Sequence, residues 1–286
     1  MIEKAYAKIN LGLDILGQRT DGYHEVKMVM QSIGLADEVE FTPAPQLVVT
    51  TDCPTLAGGQ ENLAWRAAQL LAAHCDQKPQ VHIHLRKKIF VAAGLAGGSA
   101  DAAAVLRGLN RLWQLGLTPA ELRLLAAELG SDVPFCIEGG TALATGRGEI
   151  VEPLPELEPL WLVLAKPPVA VATAWAYQNY KPSAPQTRPH LTELEQALRA
   201  GRQKDVIACL GNVLESVTIP AHPVIATIKN LMISNGASFS MMSGSGPTVF
   251  GLVPQEAIGI RVLQALNSHL TVDTAVTKTI KRSEQK

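Results

Sequence analysis

The hydrophobic positions of this chain change period along its length, and those changes mark out its elements. Leu63, Ala67, Leu70 and Leu71 recur at helical spacing and predict a helix over 62–74, with Asn62 available as its cap. Val81 to Leu85 alternates apolar with polar, which predicts a strand, and the basic run Arg86-Lys87-Lys88 follows it. Ala102, Val105, Leu106, Leu109, Leu112 and Trp113 return to helical spacing, with Ser99 expected as N-cap and no proline before Pro119. Thr118-Pro119-Ala120-Glu121 is a capping box with proline at the first helical position, so another helix should run to about Gly130. Turn signals at Asp21-Gly22, Gly58-Gly59 and Gly139-Gly140 punctuate this half, which reads as one mixed domain.

A proline-rich stretch from Val151 to Pro159 then leads into the apolar run Trp161 to Ala165, and a domain boundary is expected there, dividing the chain into 1–155 and 156–286. The second part predicts a loop at Thr187 to Pro189, a mostly helical stretch from Leu191 to Leu214 and a helix from Ala221 to Asn235 with Pro223 near its start. A second glycine loop lies in Met242 to Gly251, before a helix from about Pro254 to Leu266 and a strand near Leu270 to Val276. No internal repeat or low-complexity segment interrupts this order.

Composition narrows the function classes. The chain has 286 residues, 47% hydrophobic and 18% charged, enough for one large or two ordinary domains with true cores. A formal net charge of −1 without a long basic run argues against a nucleic-acid partner and favours small neutral or anionic substrates. Cys53, Cys75, Cys136 and Cys209 are scattered, so reduced thiols are expected rather than a disulfide framework or a zinc site. His82 and His84 would share one face of their strand, but with no third ligand evident they read as surface residues. The N-terminus carries charge at once and no apolar stretch could span a bilayer, so a cytoplasmic protein without a membrane partner is expected. Monomer and homodimer both remain open.

The segment Val91-Ala92-Ala93-Gly94-Leu95-Ala96-Gly97-Gly98-Ser99-Ala100-Asp101 places three glycines and a serine between a strand and an alanine-rich helix. Gly94, Gly97 and Gly98 can adopt positive φ and let amides close on an anion at the positive end of the helix. A Walker A loop is excluded because no lysine precedes Ser99, and the dinucleotide fingerprint is excluded by the glycine spacing. Small residues packed closely at a helix start would look the same, so other segments must decide.

Those segments are Ala7-Lys8-Ile9-Asn10-Leu11 near the start and Ser243-Gly244-Ser245-Gly246-Pro247 near the end. With the central loop, and in this order, they resemble the three motifs of the GHMP small-molecule kinases. Asp21-Gly22-Tyr23-His24, Leu129 to Pro134 and Ala165-Lys166-Pro167-Pro168 extend the resemblance over essentially the whole chain. They are similar to the branch of the family that phosphorylates a cytidine diphosphate-linked methylerythritol in the non-mevalonate isoprenoid pathway.

The resemblance implies a two-domain α+β fold, with an N-terminal domain of the ribosomal protein S5 domain 2-like type and a ferredoxin-like C-terminal domain. It implies ATP and Mg²⁺, and a small-molecule acceptor. Lys8 and Asp132 would be catalytic, with Asp132 accepting the hydroxyl proton or orienting the hydroxyl. Asn62 and the loop residues Val91, Ala92, Ala93, Gly94, Leu95, Ala96, Gly97, Gly98, Ser99 and Ala100 would hold the nucleotide. Ser99 would also contact Mg²⁺. Tyr23 and Tyr177 would sandwich the cytosine, His24 would meet its edge, and Asn10 would lie near the accepting hydroxyl. Phe90 and Ala100 replace the family's usual proline and second serine, so ATP affinity is where a difference is expected. Met30 stands where related sequences carry an aromatic near the base, so that wall of the cytidine site is expected to differ. In isolation, Lys8 fits a solvated lysine, Asp132 a helix-start turn residue, the tyrosines core positions and His24 a hydrogen-bonded turn residue. Homoserine or mevalonate phosphorylation, and a silent ligand sensor on the same scaffold, are the alternatives.

Overall fold

A computed structural model of the chain describes residues 1–183 and 188–285, so the start of the loop expected at Thr187 lies outside the described residues. The first part opens with two long strands, β1 (Ile2–Gln18) and β2 (His24–Pro43), followed by β3 (Val48–Thr51), α1 (Leu63–His74) and β4 (Val81–Arg86). After the glycine loop come α2 (Gly97–Leu112), α3 (Pro119–Leu129), α4 (Val133–Glu138), β5 (Thr141–Thr145) and β6 (Ile150–Pro153). The second part contains β7 (Trp161–Lys166), α5 (Thr173–Gln178), α6 (Leu191–Arg199), α7 (Gln203–Ala208), β8 (Gly211–Asn212), α8 (Glu215–Ala221) and α9 (Val224–Ser234). It finishes with β9 (Phe239–Met242), β10 (Val249–Val253), α10 (Glu256–His269) and β11 (Asp273–Lys278).

The helices expected at 62–74 and 118–130 form where local chemistry placed them. Asn62 caps α1 by accepting from the Ala64 amide, and Thr118 and Glu121 complete the reciprocal capping box of α3. One expectation fails. Ser99 is not the cap of α2, because the helix starts two residues earlier and its cap is Ala96, held left-handed at φ 58°. The stretch 191–214 is mostly helical, as expected, but is divided between α6 and α7. Gly201, at φ +66°, ends the first short helix, and Gly211 and Asn212 leave helical geometry to pair in parallel with Gly12 and Leu13 of β1. That pairing is long-range and carries no helical or alternating signature.

Two sheets organise the chain. The first runs β3-β4-β2-β1-β8. On the edge facing away from β1, β2 pairs with β5 along Met28 to Gln31 and with β4 along Glu38 to Pro43. The chain's end enters between them: Ile33 bridges Thr279, and the Ile280 amide donates to the Ser32 carbonyl at 3.0 Å. The second sheet, β11-β7-β10-β9, is antiparallel throughout and is covered by α9 and α10. This is a mixed α+β fold in which the second part also lends β8 to the first sheet.

The middle of β1 is covered on both faces, and every residue from Ala7 to Ile15 is buried. Such a strand should be apolar, so Lys8 and Asn10, 4% and 0% exposed, stand out as groups that need partners. Register shifts between Tyr6 and Lys8 and between Asn10 and Gly12 interrupt the ladder with β2. At the first of them the Lys8 amide turns from the ladder and donates to the Leu95 carbonyl at 3.1 Å. An irregularity in a strand thus ties the buried lysine to the glycine loop.

Candidate active site

The glycine loop, the turn before α4, the β1–β2 turn, α5 and the β9–β10 turn surround one cavity of about 1130 Å³. The loop supplies Val91, Ala92, Ala93, Gly94, Ala96, Gly97, Gly98 and Ser99 to its wall. Leu95 and Ala100 do not line it; both are 1% exposed and turn into the core, where an apolar side chain between sheet and helix is better placed. Only Gly94 of the three glycines takes positive φ, at +75°. Ala92 and Ala96 supply the other left-handed turns, while Gly97 and Gly98 lie inside the first turn of α2. A helix leaves its first N–H groups without intrahelical acceptors, and here those residues are Gly97, Gly98 and Ser99 at the cavity wall.

The two glycine loops clasp each other. Ser243 Oγ donates to the Gly94 carbonyl at 3.1 Å, and Gly244, Ser245 and Gly246 line the cavity beside it. A Cβ on Gly94 would lie 2.3 Å from the Ser243 carbonyl oxygen, so no side chain fits at that contact.

Lys8 and Asp132, which lie 124 positions apart, meet across this cavity with Nζ 3.5 Å from the carboxylate. Asp132 occupies the cap position of α4 but makes no side-chain capping bond, leaving its carboxylate to face Lys8. The ammonium also donates to Asn10 Oδ1 at 2.8 Å, and the Asn10 amide donates to Met28 Sδ at 3.4 Å. Met28 lines the cavity, whereas Met30, opposite Asn10 in the strand ladder, is fully buried and does not.

Tyr23, His24 and Tyr177 line the same cavity. His24 and Tyr177 lie with ring centroids 5.7 Å apart and tilted by 37°, while Tyr23 is largely exposed, with the Arg147 guanidinium 5.1 Å from its ring centroid. Burial pushes the Tyr177 phenol up, and the nearby Asp132 charge pushes the same way, so it stays neutral. Asn62 and Phe90 are also in the wall. His82 and His84 lie elsewhere, both hydrogen-bonded to the Thr50 hydroxyl.

Sequence reasoning missed Arg147, Thr173 and the charged group beneath the glycine loop. Thr173 pairs with the Ser245 hydroxyl at 3.2 Å. Lys87 is bracketed by Asp37 and Asp101, all three nearly or fully buried. Burial works against the Lys87 ammonium, but the two carboxylates hold it above its usual range. Burial likewise raises Asp101, to about 7, with Lys87 opposing and Asp37 adding to the rise. The basic run Arg86-Lys87-Lys88 was the visible signal, but its partners are distant in sequence.

Cys136, on α4 just behind Asp132, is buried, and burial pushes its thiol up to about 12. Iodoacetamide at about pH 8 should therefore label Cys53 and Cys75 well before Cys136 and Cys209, as followed by peptide mass spectrometry. Early modification of Cys136 in the folded protein would contradict this burial.

Helix-start amides and a lysine–carboxylate pair lining one cavity suit transfer of a phosphoryl group to a small alcohol. The N terminal domain of the GHMP kinases matches residues 62–140 and the C terminal domain matches residues 188–272. The chain belongs to the GHMP kinases, small-molecule kinases that use ATP. The 4-diphosphocytidyl-2-C-methyl-D-erythritol kinase of Brevibacillus brevis is 50% identical over 265 residues, 92% of this chain and 91% of that protein. A crystal structure of 4-(cytidine 5'-diphospho)-2C-methyl-D-erythritol kinase superposes with a TM-score of 0.81 at 33% identity, covering 98% of this chain and all of that one. Mevalonate kinase from L. major with R-mevalonate shares the fold, with a TM-score of 0.72 at 16% identity over 98% and 96% of the two chains. Among the described residues, no helix is long and apolar enough to cross a membrane.

Proposed function

We propose that this chain transfers the γ-phosphoryl group of ATP to the 2-hydroxyl of 4-diphosphocytidyl-2-C-methyl-D-erythritol, releasing ADP and the 2-phosphate, in the cytoplasmic non-mevalonate route to isoprenoid precursors. The observation that carries this reading is a single cavity joining a phosphate cradle, the Lys8–Asp132 pair and the aromatic group Tyr23, His24 and Tyr177. Mevalonate and homoserine lack a nucleobase, and the aromatic group would have no purpose for them.

Phosphoryl transfer asks the protein to align the groups and to stabilise charge. The first-turn amides of α2 and Gly94 hold the nucleotide phosphates, with Asn62 on the nucleotide side. Asp132 accepts the acceptor's hydroxyl proton as the new O–P bond forms and the bond to ADP breaks, and Lys8 steadies the charge on the transferred group. Asn10, fixed by Lys8, orients the hydroxyl.

Mg²⁺ suits this site, because a hard cation carried largely by phosphate oxygens and water needs few protein ligands. Ser99, which lines the cavity, would contact it. When bound, the ion neutralises phosphate charge. Arg147, over Tyr23, sets a positive charge where the acceptor's diphosphate can pass.

The test is ADP release with ATP, Mg²⁺ and the cytidine substrate, with mevalonate and homoserine as control acceptors. Turnover is expected with the cytidine substrate alone. Tyr177→Ala should raise KM for that acceptor about tenfold or more, the value of one base-stacking contact, and change KM for ATP little. Turnover of a control acceptor, or an unchanged KM in the Tyr177 variant, would count against the cytidine site.

A further inference from the structure

Resting on the reading of the cavity as a kinase site, we infer that Lys87, Asp37 and Asp101 form a positioning device that sets the glycine loop for the nucleotide. The loop has few regular hydrogen bonds to hold it. Between Phe90 and Ala96 it makes three left-handed turns, and its cross-links are the Lys8 amide to Leu95 and the Ser243 hydroxyl to Gly94.

The triad closes the loop at both ends. At the entrance, Asp37 Oδ1 accepts the Lys88 amide at 2.5 Å and the Ile89 amide at 2.7 Å, so β2 grips the chain as it leaves β4. The Lys87 amide is held in turn by Asp52 Oδ1 at 2.9 Å. At the exit, the Lys87 ammonium reaches across to Asp101 in the second turn of α2 while keeping its contact to Asp37. One ammonium thus ties strand exit to helix start. It lies close beneath the cradle, since a Cβ on Gly97 would stand 3.8 Å from Lys87 Nζ.

Stability alone is a weak explanation for this arrangement. Buried ion pairs lose in desolvation much of what they gain in attraction, and well-packed apolar replacements often fold as well. Both Lys87 and Asp101 also line the cavity, and Asp101 Oδ1 is buried without a hydrogen-bond partner among the described residues. The group is therefore continuous with the site. Its geometric effect is to fix where the amides of Gly97, Gly98 and Ser99 point, so its loss should appear first in nucleotide affinity.

The experiment compares the full-length wild type with Lys87→Met and Asp101→Asn, measuring ADP affinity by calorimetry and KM for ATP, KM for the acceptor and kcat by ADP release. Both variants should weaken ADP binding and raise KM for ATP about tenfold or more, the scale of a misaligned hydrogen bond to a charged group. KM for the acceptor and kcat should stay within about threefold, and Lys87→Arg should recover part of the loss. Circular dichroism and melting identify a variant that fails to fold. If Lys87→Met does not fold, Asp101→Asn, which keeps the Lys87–Asp37 contact and the side-chain shape, decides. Wild-type nucleotide affinity in the folded variants, or a loss spread equally over kcat and both KM values, would overturn the inference. A wild type that binds no nucleotide would instead overturn the kinase reading and the inference with it.

Discussion

Asp132→Asn is expected to lower kcat by about 10²- to 10⁴-fold, the range that general acid–base groups contribute, with little change in KM for ATP. Asparagine keeps the shape of the side chain, and Asp132 makes no capping bond to α4, so the helix loses nothing in the exchange. What disappears is the proton acceptor and the negative partner 3.5 Å from the Lys8 ammonium. Lys8 stays buried beside Asn10 and a neutral amide, without its charged partner, which costs some stability as well as activity. Steady-state ADP release and a melting curve on the same preparation separate the two effects. A fall in kcat of less than about tenfold would show that the hydroxyl proton leaves by another path and that Asp132 only orients the acceptor.

Gly94→Ala should be nearly as damaging, and for a steric reason. Its φ of +75° costs an alanine ~1–2 kcal/mol before any contact is counted. The new methyl would also stand 2.3 Å from the Ser243 carbonyl oxygen and 3.0 Å from that of Gly246, so backbone must move. Movement there opens the clasp between the two glycine loops, and a displacement of about 1 Å at a phosphate cradle is enough for a loss of about 10²-fold in kcat/KM for ATP. Gly98→Ala is the control for folding. A methyl at Gly98 meets only Leu63, at 3.7 Å, within a helix that favours alanine, so the melting temperature should hold or rise. Equal melting of the Gly94 and Gly98 variants would remove the steric argument.

The parts of the site that were legible in the sequence are those whose chemistry is local. The glycine loop set small residues at a helix start, a candidate that the motifs around Lys8 and Ser243 sharpened, and the Thr118 to Glu121 box starts α3 from its own side-chain and backbone groups. Lys8 was legible through the motif around it, while its burial, and with it the need of the ammonium for a partner, came from the fold. Residues that depend on the direction of a side chain were read less well. Leu95 and Ala100 sit in the loop motif but turn into the core, and Met28 rather than Met30 lines the cavity.

The sequence by itself determined the order of elements around the glycine loop, the capping of α1 and α3, and the residue types able to hold phosphate, accept a proton and stack on a base. Backbone conformation over a few residues depends on those residues' own sterics and hydrogen bonds, so it is written locally. Tertiary structure alone decided that Asp132 faces Lys8, that Ser243 holds Gly94, that Gly211 and Asn212 extend the first sheet, and that Lys87 joins Asp37 to Asp101. Each of these brings together groups far apart along the chain. Their pairing follows from burial and from the need to satisfy buried charge and polar backbone, which no local pattern encodes.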